Sequence, residues 1–354
     1  DAARAGRAGT FLSRAVNRCS TSPVLSSVLK KTAGIHEKRA LPLFDDHSLF
    51  QWVRKLKPNH PETVSAGSGQ KVAYFAGCSA GYFFPQVGKA VVNLLEQLEV
   101  RVFLPEQNCC GMPLLMEGQK EKALEKIRAN VKTLIPAVKK GCQVICSCPT
   151  CGYFFRKMLL ENAYFSKEAQ QRLRSEKDIM QVPMGGRSGR FVNVSRKAYG
   201  SLLKDDGYFS SISPVDRIDL AGSVTDLGQF LLDFQKEKNA TFKIKDLHKP
   251  MAYFAPCHQR ELEIGAPYFQ LISSMPGSDI RQIGHALSCC GMGGHLGFKK
   301  TFHHQSLKIG QPLLRLLESE KDRTLLTDCL SCRLQFSQVL EQKVFHPVEL
   351  FDVC

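Results

Sequence analysis

In the middle and last parts of the chain, short runs of hydrophobic residues alternate with segments whose hydrophobic residues have helical spacing. Short apolar runs predict buried strands, and segments with apolar residues at helical spacing, such as Val87, Val91 and Leu95, predict helices between them. The predicted strands are Lys71–Ala76, Val100–Leu104, Gln143–Cys146, Met251–Ala255, Asp279–Ile283 and Thr324–Thr327. The predicted helices are Gln86–Leu98, Glu117–Lys139, residues 152–160, Asp226–Phe234, Ala266–Met275, Thr301–Glu318 and Ser331–Glu341. Such alternation is typical of parallel sheets with right-handed crossovers.

The order of strands and helices occurs twice, so we predict an α/β fold with two duplicated domains. Each domain would be a small parallel sheet flanked by helices, the first at residues 71–240 and the second at residues 250–354. Residues 1–57 are basic and carry apolar residues at helical spacing, which predicts a helical lead-in. Residues 58–70 are rich in Pro, Gly and Ser, and we expect them to form a linker.

One cysteine pattern also occurs twice and includes ten of the 14 cysteines. Each copy has a single cysteine, a Cys-Cys-Gly triplet and a closing Cys-x-x-Cys. The copies are offset by 179 residues at the single cysteine, 180 at the pair and 181 at the closing motif. The first copy is Cys78, Cys109, Cys110, Cys148 and Cys151; the second is Cys257, Cys289, Cys290, Cys329 and Cys332. A repeat of this length indicates a duplicated domain.

Each cysteine group follows the end of a predicted strand. Since the carboxyl ends of parallel strands form the ligand crevice of an open α/β sheet, we expect the five thiols of each copy to converge there. Zinc prefers four tetrahedral ligands, often in two close pairs, and suits five cysteines poorly. An iron–sulfur cluster accepts thiolates from several sides. We therefore favour iron–sulfur clusters, with zinc, dithiol redox chemistry and a disulfide scaffold as alternatives.

The cysteine spacing resembles the paired cysteine-rich CCG domains in the B subunit of heterodisulfide reductase. It more closely resembles the C subunit of anaerobic glycerol-3-phosphate dehydrogenase, through GIHEKRALPLF (34–44), CCGMPLL (109–115), APCHQ (255–259) and TDCLSC (327–332). The resemblance implies that the five cysteines of each copy bind one [4Fe-4S] cluster, cubane or noncubane. No FAD or NAD fingerprint occurs in the sequence, so we expect neither cofactor in this chain.

By this resemblance we expect an electron-transfer subunit that passes electrons from a partner flavoprotein dehydrogenase to a membrane quinone. The alternative is a catalytic subunit that reduces a heterodisulfide or a quinone directly at a noncubane cluster. A metal-bearing assembly scaffold is a third hypothesis. Such C subunits usually begin with two ferredoxin-like cysteine runs, whereas only Cys19 precedes Cys78 here. We expect those clusters on an upstream segment or on a partner, since the sequence begins with Asp1 and not Met.

The net charge is +15, of which residues 1–60 contribute +7. A basic segment can bind anionic lipid or an acidic partner, or can simply be a solvated face. No uninterrupted apolar stretch reaches the roughly 20 residues of a membrane-spanning helix. We therefore expect a cytoplasmic protein, peripheral on the inner face of the cell membrane. No helix-turn-helix, RRM or zinc-finger motif is present, so we expect no nucleic-acid partner.

Several cysteines and histidines outside the repeat have simpler interpretations. Cys142 and Cys146 are expected to be small buried residues, although Cys146 could serve as a substitute ligand close to Cys148. His258, His285 and His295 could bind a cluster or relay protons. Local hydrogen bonding or exposure to water is the simpler expectation for all three.

Overall fold

A computed structural model describes residues 2–56, 70–172, 179–183, 191–195, 207–245 and 249–353. The predicted linker, residues 58–70, lies outside the described residues except for Gln70. Among the described residues, no helix combines the length and the apolar character needed to cross a membrane.

The strands of the protein are short and fall largely where the hydrophobic pattern predicts them. In chain order they are β1 Lys71–Phe75, β2 Arg101–Phe103, β3 Gln143–Cys146, β4 Ile179–Pro183, β5 Phe191–Ser195, β6 Val224–Asp226, β7 Phe242–Ile244, β8 Met251–Tyr253, β9 Ile280–Gln282, β10 Thr324–Leu326, β11 Val344–Phe345 and β12 Phe351–Val353.

Two four-stranded parallel sheets have the same topology. The first has the order β2-β1-β3-β6 and the second the order β9-β8-β10-β11. The α/β fold and the duplication are therefore confirmed. The fourth strands, β6 and β11, were not predicted. Strand β6 runs directly into helix Leu227–Lys238, where the pattern predicts only a helix, and β11 has only two residues. Two antiparallel pairs, β4 with β5 and β7 with β12, lie outside these sheets.

Helices connect the strands and also form the first part of the chain. They are α1 Ala2–Phe11, α2 Ser13–Thr21, α3 Pro23–Thr32, α4 Leu49–Leu56, α5 Pro85–Gln97, α6 Met112–Met116, α7 Lys120–Val138, α8 Pro149–Arg156, α9 Lys167–Arg172, α10 Pro214–Ser223, α11 Leu227–Lys238, α12 Cys257–Glu261, α13 Pro267–Ser273, α14 His303–Glu318 and α15 Leu330–Val339. A π-helical segment, Ser79–Phe83, lies between β1 and α5.

The predicted helix Glu117–Lys139 differs from the structure at its start. Helix α6 ends at Met116, and Gly118 has a φ of +73°, a left-handed conformation that interrupts the helical path before α7 begins. The other long helix of this domain, α5, follows the prediction, and its apolar face is buried against the sheet.

One buried apolar cluster joins the two domains. It contains Tyr74 of the first sheet and Tyr253 of the second, together with the buried face of α5 and Leu271 of α13. Because both sheets contribute to the same core, the two domains pack against each other and do not form separate lobes.

The helical lead-in packs against both domains. At Gly6 of α1 a side chain would collide with Tyr82, and at Gly88 of α5 it would collide with Leu49 of α4, so these helices approach the first domain closely. Further along, the buried Arg39 enters the second domain and donates hydrogen bonds to Gly297 O and Ser306 Oγ, both at 2.9 Å. The lead-in therefore bridges the two domains.

Candidate metal centres

The fold brings the ten repeated cysteines to the carboxyl ends of the strands, as predicted. In the first domain Cys78 follows β1, the Cys109–Cys110 pair precedes α6, Cys148 is the N-cap residue of α8 and Cys151 lies in its first turn. In the second domain Cys257 begins α12, the Cys289–Cys290 pair follows β9, Cys329 is the N-cap residue of α15 and Cys332 lies in its first turn. Every cysteine in the described part of the chain is a free thiol.

The five thiols of the first domain form one connected row. Cys78 donates to Cys109, with the two Sγ atoms 3.8 Å apart. Further hydrogen bonds link Cys109 with Cys110, Cys110 with Cys151, and Cys151 with Cys148. Hydrogen bonds from Cys110 and Cys78 hold the pKa of Cys109 well below its usual value. The hydrogen bond to Cys109, followed by burial, raises the pKa of Cys78. The same contact thus favours the thiolate of Cys109 and the thiol of Cys78.

The second domain repeats this row in the same order. Hydrogen bonds link the thiols in the order Cys257, Cys289, Cys290, Cys332 and Cys329. Cys332 donates to Cys290, with the two Sγ atoms 2.8 Å apart. Hydrogen bonds from Cys257 and Cys290 lower the pKa of Cys289, the equivalent of Cys109. The structure therefore brings together both predicted groups of five, and the two sites have matching internal connections.

A glycine in left-handed conformation closes each cysteine pair. Gly111 has a φ of +99° and Gly291 a φ of +80°, a region that side chains rarely adopt. A Cβ atom on Gly291 would lie 2.0 Å from the Ser306 carbonyl oxygen, whereas on Gly111 it would meet the Ile127 side chain at 2.8 Å. The Cys-Cys-Gly motif thus needs glycine to turn the pair towards the other thiols.

Buried amides hold the first site in place. Asn130 of α7 accepts a hydrogen bond from the Asn108 amide at 2.7 Å and donates one to Cys109 O at 2.9 Å. Gln107 accepts from the Gly77 amide at 2.9 Å and donates to Tyr74 O at 3.1 Å. These contacts fix the backbone on both sides of the Cys78–Cys109 contact.

The donor set fits a polynuclear sulfur-ligated cluster. Among the described residues, no group of three or more His, Cys, Asp or Glu side chains is arranged to hold a single metal ion. Each site instead offers five buried or half-buried thiols in a row, a set too large for a closed tetrahedral zinc site. Iron–sulfur clusters are held by thiolates and contain several irons, so the residues present fit such a group.

The two sites meet across the domain interface. Thr150, inside the first Cys-x-x-Cys, has its Oγ1 2.9 Å from Nδ1 of His258, which follows Cys257. The His258 ring also stacks on Tyr153, with the ring centroids 5.2 Å apart. Hydrogen bonds from Cys332 first, and from Thr150 among others, lower the pKa of Cys329 to about 7. One side chain of the first site therefore contacts two residues of the second.

A second contact joins the Cys-Cys-Gly loops. His295 Nε2 and Lys299 Nζ each lie 2.7 Å from Glu117 Oε1, which belongs to the first domain. Although burial opposes the effect, the hydrogen bond from Lys299 and the charge of His295 lower the pKa of Glu117.

The expectation that the three histidines form local hydrogen bonds or face water is confirmed for His285, whose Nδ1 accepts a hydrogen bond from the Leu287 amide. It is wrong for His258 and His295, which contact Thr150 and Glu117 of the first domain.

Sequence reasoning missed these interdomain contacts because they depend on how the two domains pack. The buried Asn130, Gln107 and Arg39 were missed as well. For Asn130, its position among the apolar residues of a predicted helix could have indicated a buried polar side chain.

Cys146 ends β3 with its side chain fully buried, and burial raises the pKa of its thiol well above the usual value. Cys142 is also buried, as expected for a small apolar residue.

The family model for the cysteine-rich domain, CCG, matches this chain at residues 72–156 and 251–337. The chain carries two CCG domains. Each match covers three strands of one sheet, extends to the helix after the Cys-x-x-Cys, and includes one complete row of five thiols. The fourth strands, β6 and β11, lie beyond the matched residues.

Curated relatives of this CCG protein span most of its length. The C subunit of anaerobic glycerol-3-phosphate dehydrogenase from Escherichia coli K12 is 25% identical over 98% of this chain and 73% of its own length. The B subunit of fumarate reductase (CoM/CoB) from Methanothermobacter marburgensis is 22% identical over 82% of this chain and 48% of its own length. Lactate utilization protein A from Geobacillus sp. WCH70 is 23% identical over 80% of this chain and 99% of its own length. The domains and these relatives support an iron–sulfur electron-transfer subunit of an oxidoreductase.

Proposed function

We propose that this protein is an iron–sulfur electron-transfer subunit that carries electrons from a partner flavin dehydrogenase, of the glycerol-3-phosphate dehydrogenase type, to a membrane quinone. The observation that carries the proposal is the meeting of two equivalent five-thiol rows at one domain interface, joined by Thr150 and His258. Thr150, the residue before the proposed ligand Cys151, contacts the Cys329 thiol of the other row. A short path of this kind suits conduction, because electrons must pass from one centre to the next.

The ten repeated cysteines are the proposed ligands, five for each cluster. When bound, [4Fe-4S] clusters would supply one-electron redox centres at both sites. The chain itself contributes the thiolates, the glycine turns and the amide hydrogen bonds that fix the loops. Burial of seven of these cysteines, Cys109, Cys110, Cys148, Cys151, Cys290, Cys329 and Cys332, shields the sites from water, which is one means of tuning a cluster potential.

The lead-in supplies a surface for the proposed membrane contact. Phe11 at the end of α1 is 82% exposed, Val24 of α3 is 73% exposed, and Val28 one turn later is also exposed. Basic residues lie beside them, including Arg14 with a side chain that is 91% exposed. Exposed apolar residues flanked by cations are typical of segments that bind anionic lipid surfaces.

Partial exposure of Cys257 and Cys289 favours a second candidate function. A substrate such as a disulfide or a quinone could reach the second site from the side of these two residues. The protein would then be a catalytic reductase subunit rather than a conductor.

The proposal is tested by metal analysis of anaerobically purified protein. We expect roughly eight iron and eight sulfide per chain, and about half of each in Cys110→Ser and in Cys290→Ser. Cys19→Ser, which lies outside the repeat, is the control and should retain the full content. Reduction of the bound clusters by substrate plus a co-purified flavoprotein would establish the electron route. One zinc per repeat without sulfide would overturn the proposal.

Vesicle binding tests the membrane contact separately. Binding to anionic vesicles should weaken with added salt and with Val28→Asp, because both the charges and the apolar face contribute. Leu287→Asp is the control, because Leu287 is an apolar residue of the second domain that is 87% exposed. This change should not affect vesicle binding. Equal loss of binding in both variants would contradict a contact through the lead-in.

A further inference from the structure

A large cavity lies between the lead-in and the first CCG domain. Its volume is about 1240 Å³, and its walls come from α1, α4, the π-helical segment and the loop that follows β2. This is ample for a small organic molecule. The glycine contacts of α1 with Tyr82 and of Gly81 with Phe50 pack two of its walls tightly, so the cavity is a formed feature of the fold.

The cavity lies next to the first thiol row. Tyr82 lines it and follows Cys78 by one helical turn, within the π-helical segment. Gln107 also lines it and accepts the hydrogen bond from the amide of Gly77, the residue before Cys78. Burial first, and then the nearby Cys78 charge, raise the pKa of Tyr82, while Arg7 and Arg54 oppose this rise. A molecule in the cavity would therefore lie within about one side chain of a cysteine ligand.

The lining combines aromatic surface with polar groups. Phe50 and Phe103 offer flat apolar faces, and Arg7 and Arg54 offer cationic donors. Thr10 is 4% exposed, and its hydroxyl has no hydrogen-bond partner among the described residues. A buried hydroxyl without a partner costs free energy unless a ligand or a water satisfies it.

The mouth of the cavity opens at the exposed apolar surface of the lead-in. Phe11 lines the cavity and is nevertheless 82% exposed, and Leu12 beside it is exposed as well. A lipophilic molecule could enter the cavity beside Phe11, and the exposed Arg7 and Glu106 line the cavity as well. A planar ring with carbonyl acceptors would then fit both the aromatic walls and the donors.

We propose that this cavity binds the head group of a quinone, with Tyr82 and Arg7 as donors to its carbonyl oxygens and Phe50 and Phe103 packed on its ring. The inference rests on the proposed function and deepens it by placing the electron acceptor beside the first site. Reduction adds two electrons, which come from the reduced flavin of the partner dehydrogenase, and two protons from water at the open mouth. The product leaves as the quinol.

Binding of 2-heptyl-4-hydroxyquinoline N-oxide, a fluorescent quinol analogue, tests the site in the anaerobically purified protein with both clusters. Ala8 lines the cavity from an exposed position on α1, so Ala8→Trp should fill the cavity without disturbing the core. We expect it to weaken binding about tenfold or more. Ala5→Trp, an exposed position on the same helix that does not line the cavity, is the matched control and should bind normally. Tyr82→Phe should weaken binding about threefold to tenfold.

Iron and sulfide content must remain unchanged in all three variants, which separates a binding defect from loss of the site. If Ala8→Trp binds the analogue as the wild-type protein does, the cavity is not the quinone site, and the proposed electron-transfer function stands without it. Absence of binding by the wild-type protein would also overturn the inference. Displacement of the analogue by a simple dicarboxylate but not by menadione would assign the cavity to organic anions instead.

Discussion

Thr150 Oγ1 of the first domain lies 2.9 Å from Nδ1 of His258 in the second. Both residues belong to cysteine loops, and the same threonine contacts the Cys329 thiol. Removing its hydroxyl should therefore alter the second site more than the first, although Thr150 lies in the first. We expect Thr150→Val to shift the electron paramagnetic resonance spectrum and the potential of the second cluster, at a stability cost of about 1 kcal/mol.

Ser331 offers the matched control, because it occupies the same place in the second Cys-x-x-Cys. Ser331→Ala should leave the first cluster unchanged. The two clusters can be recorded separately in the Cys110→Ser and Cys290→Ser backgrounds. A change confined to the first cluster in Thr150→Val would show that the interface contact does not connect the sites.

Gly291 and Gly111 give a second prediction, because these equivalent glycines of the two Cys-Cys-Gly motifs pack against different neighbours. Gly291→Ala places a Cβ 2.0 Å from a backbone oxygen, which cannot move easily, and adds left-handed strain. We expect a loss of about 3 kcal/mol or more and loss of the second cluster with the first retained. Gly111→Ala meets only the Ile127 side chain and should be milder.

Gly294→Ala separates the effect of backbone strain from the effect of the collision with Ser306. Gly294 has a φ of +69°, but no atom lies within 4 Å of its would-be Cβ. It should cost only about 1 kcal/mol and keep both clusters. Iron and sulfide analysis together with urea unfolding measures the difference. Cluster loss in Gly294→Ala equal to that in Gly291→Ala would mean that backbone strain, and not the collision with Ser306, decides the outcome.

The sequence was sufficient for the α/β class, the duplication and the convergence of the five thiols in each domain. These follow from hydrophobic periods and from the rule that cysteines after parallel strands share one sheet edge. Strand β6 escaped prediction because it runs directly into α11, and β11 escaped it because two residues carry no period. The contacts of Thr150 with His258 and of Glu117 with His295 escaped it because they depend on domain packing, which no local pattern encodes.

Arg39 provides a third prediction, on how the lead-in is held. Its buried guanidinium donates to Gly297 O and Ser306 Oγ in the second domain, at 2.9 Å each. Arg39→Met would leave Gly297 O and Gln335 Oε1 without the donor they have in the wild-type protein, so we expect a loss of about 3 kcal/mol and faster proteolysis of residues 1–57. Lys38→Met, an exposed neighbour, is the control and should resist proteolysis like the wild-type protein. Unchanged proteolysis in Arg39→Met would show that α1 and α4 alone hold the lead-in.

His346 gives a prediction for the pH dependence of folding stability, since its side chain is fully buried between the domains. Its Nδ1 accepts a hydrogen bond from the Val348 amide, so Nε2 carries the proton and donates to Ser147 O at 2.9 Å. Burial, together with the charge of Arg333, lowers the pKa of His346 to about 3 from 6.5, although the hydrogen bond to Ser147 opposes this. A second proton would have to sit on Nδ1, facing the Val348 amide, and the folded protein disfavours it.

The unfolded chain therefore binds a proton at His346 at a higher pH than the folded protein does. The stability contribution of neutral His346 is complete above pH 6.5 and is lost progressively as the pH falls towards 3. Between pH 7 and pH 5.5 the wild-type protein should lose about 1 kcal/mol more than His346→Gln, whose side chain does not titrate. Urea unfolding at the two pH values, followed by circular dichroism, measures this difference. Equal losses in both proteins would mean that His346 is already protonated in the folded state, or that the interface opens before the core unfolds.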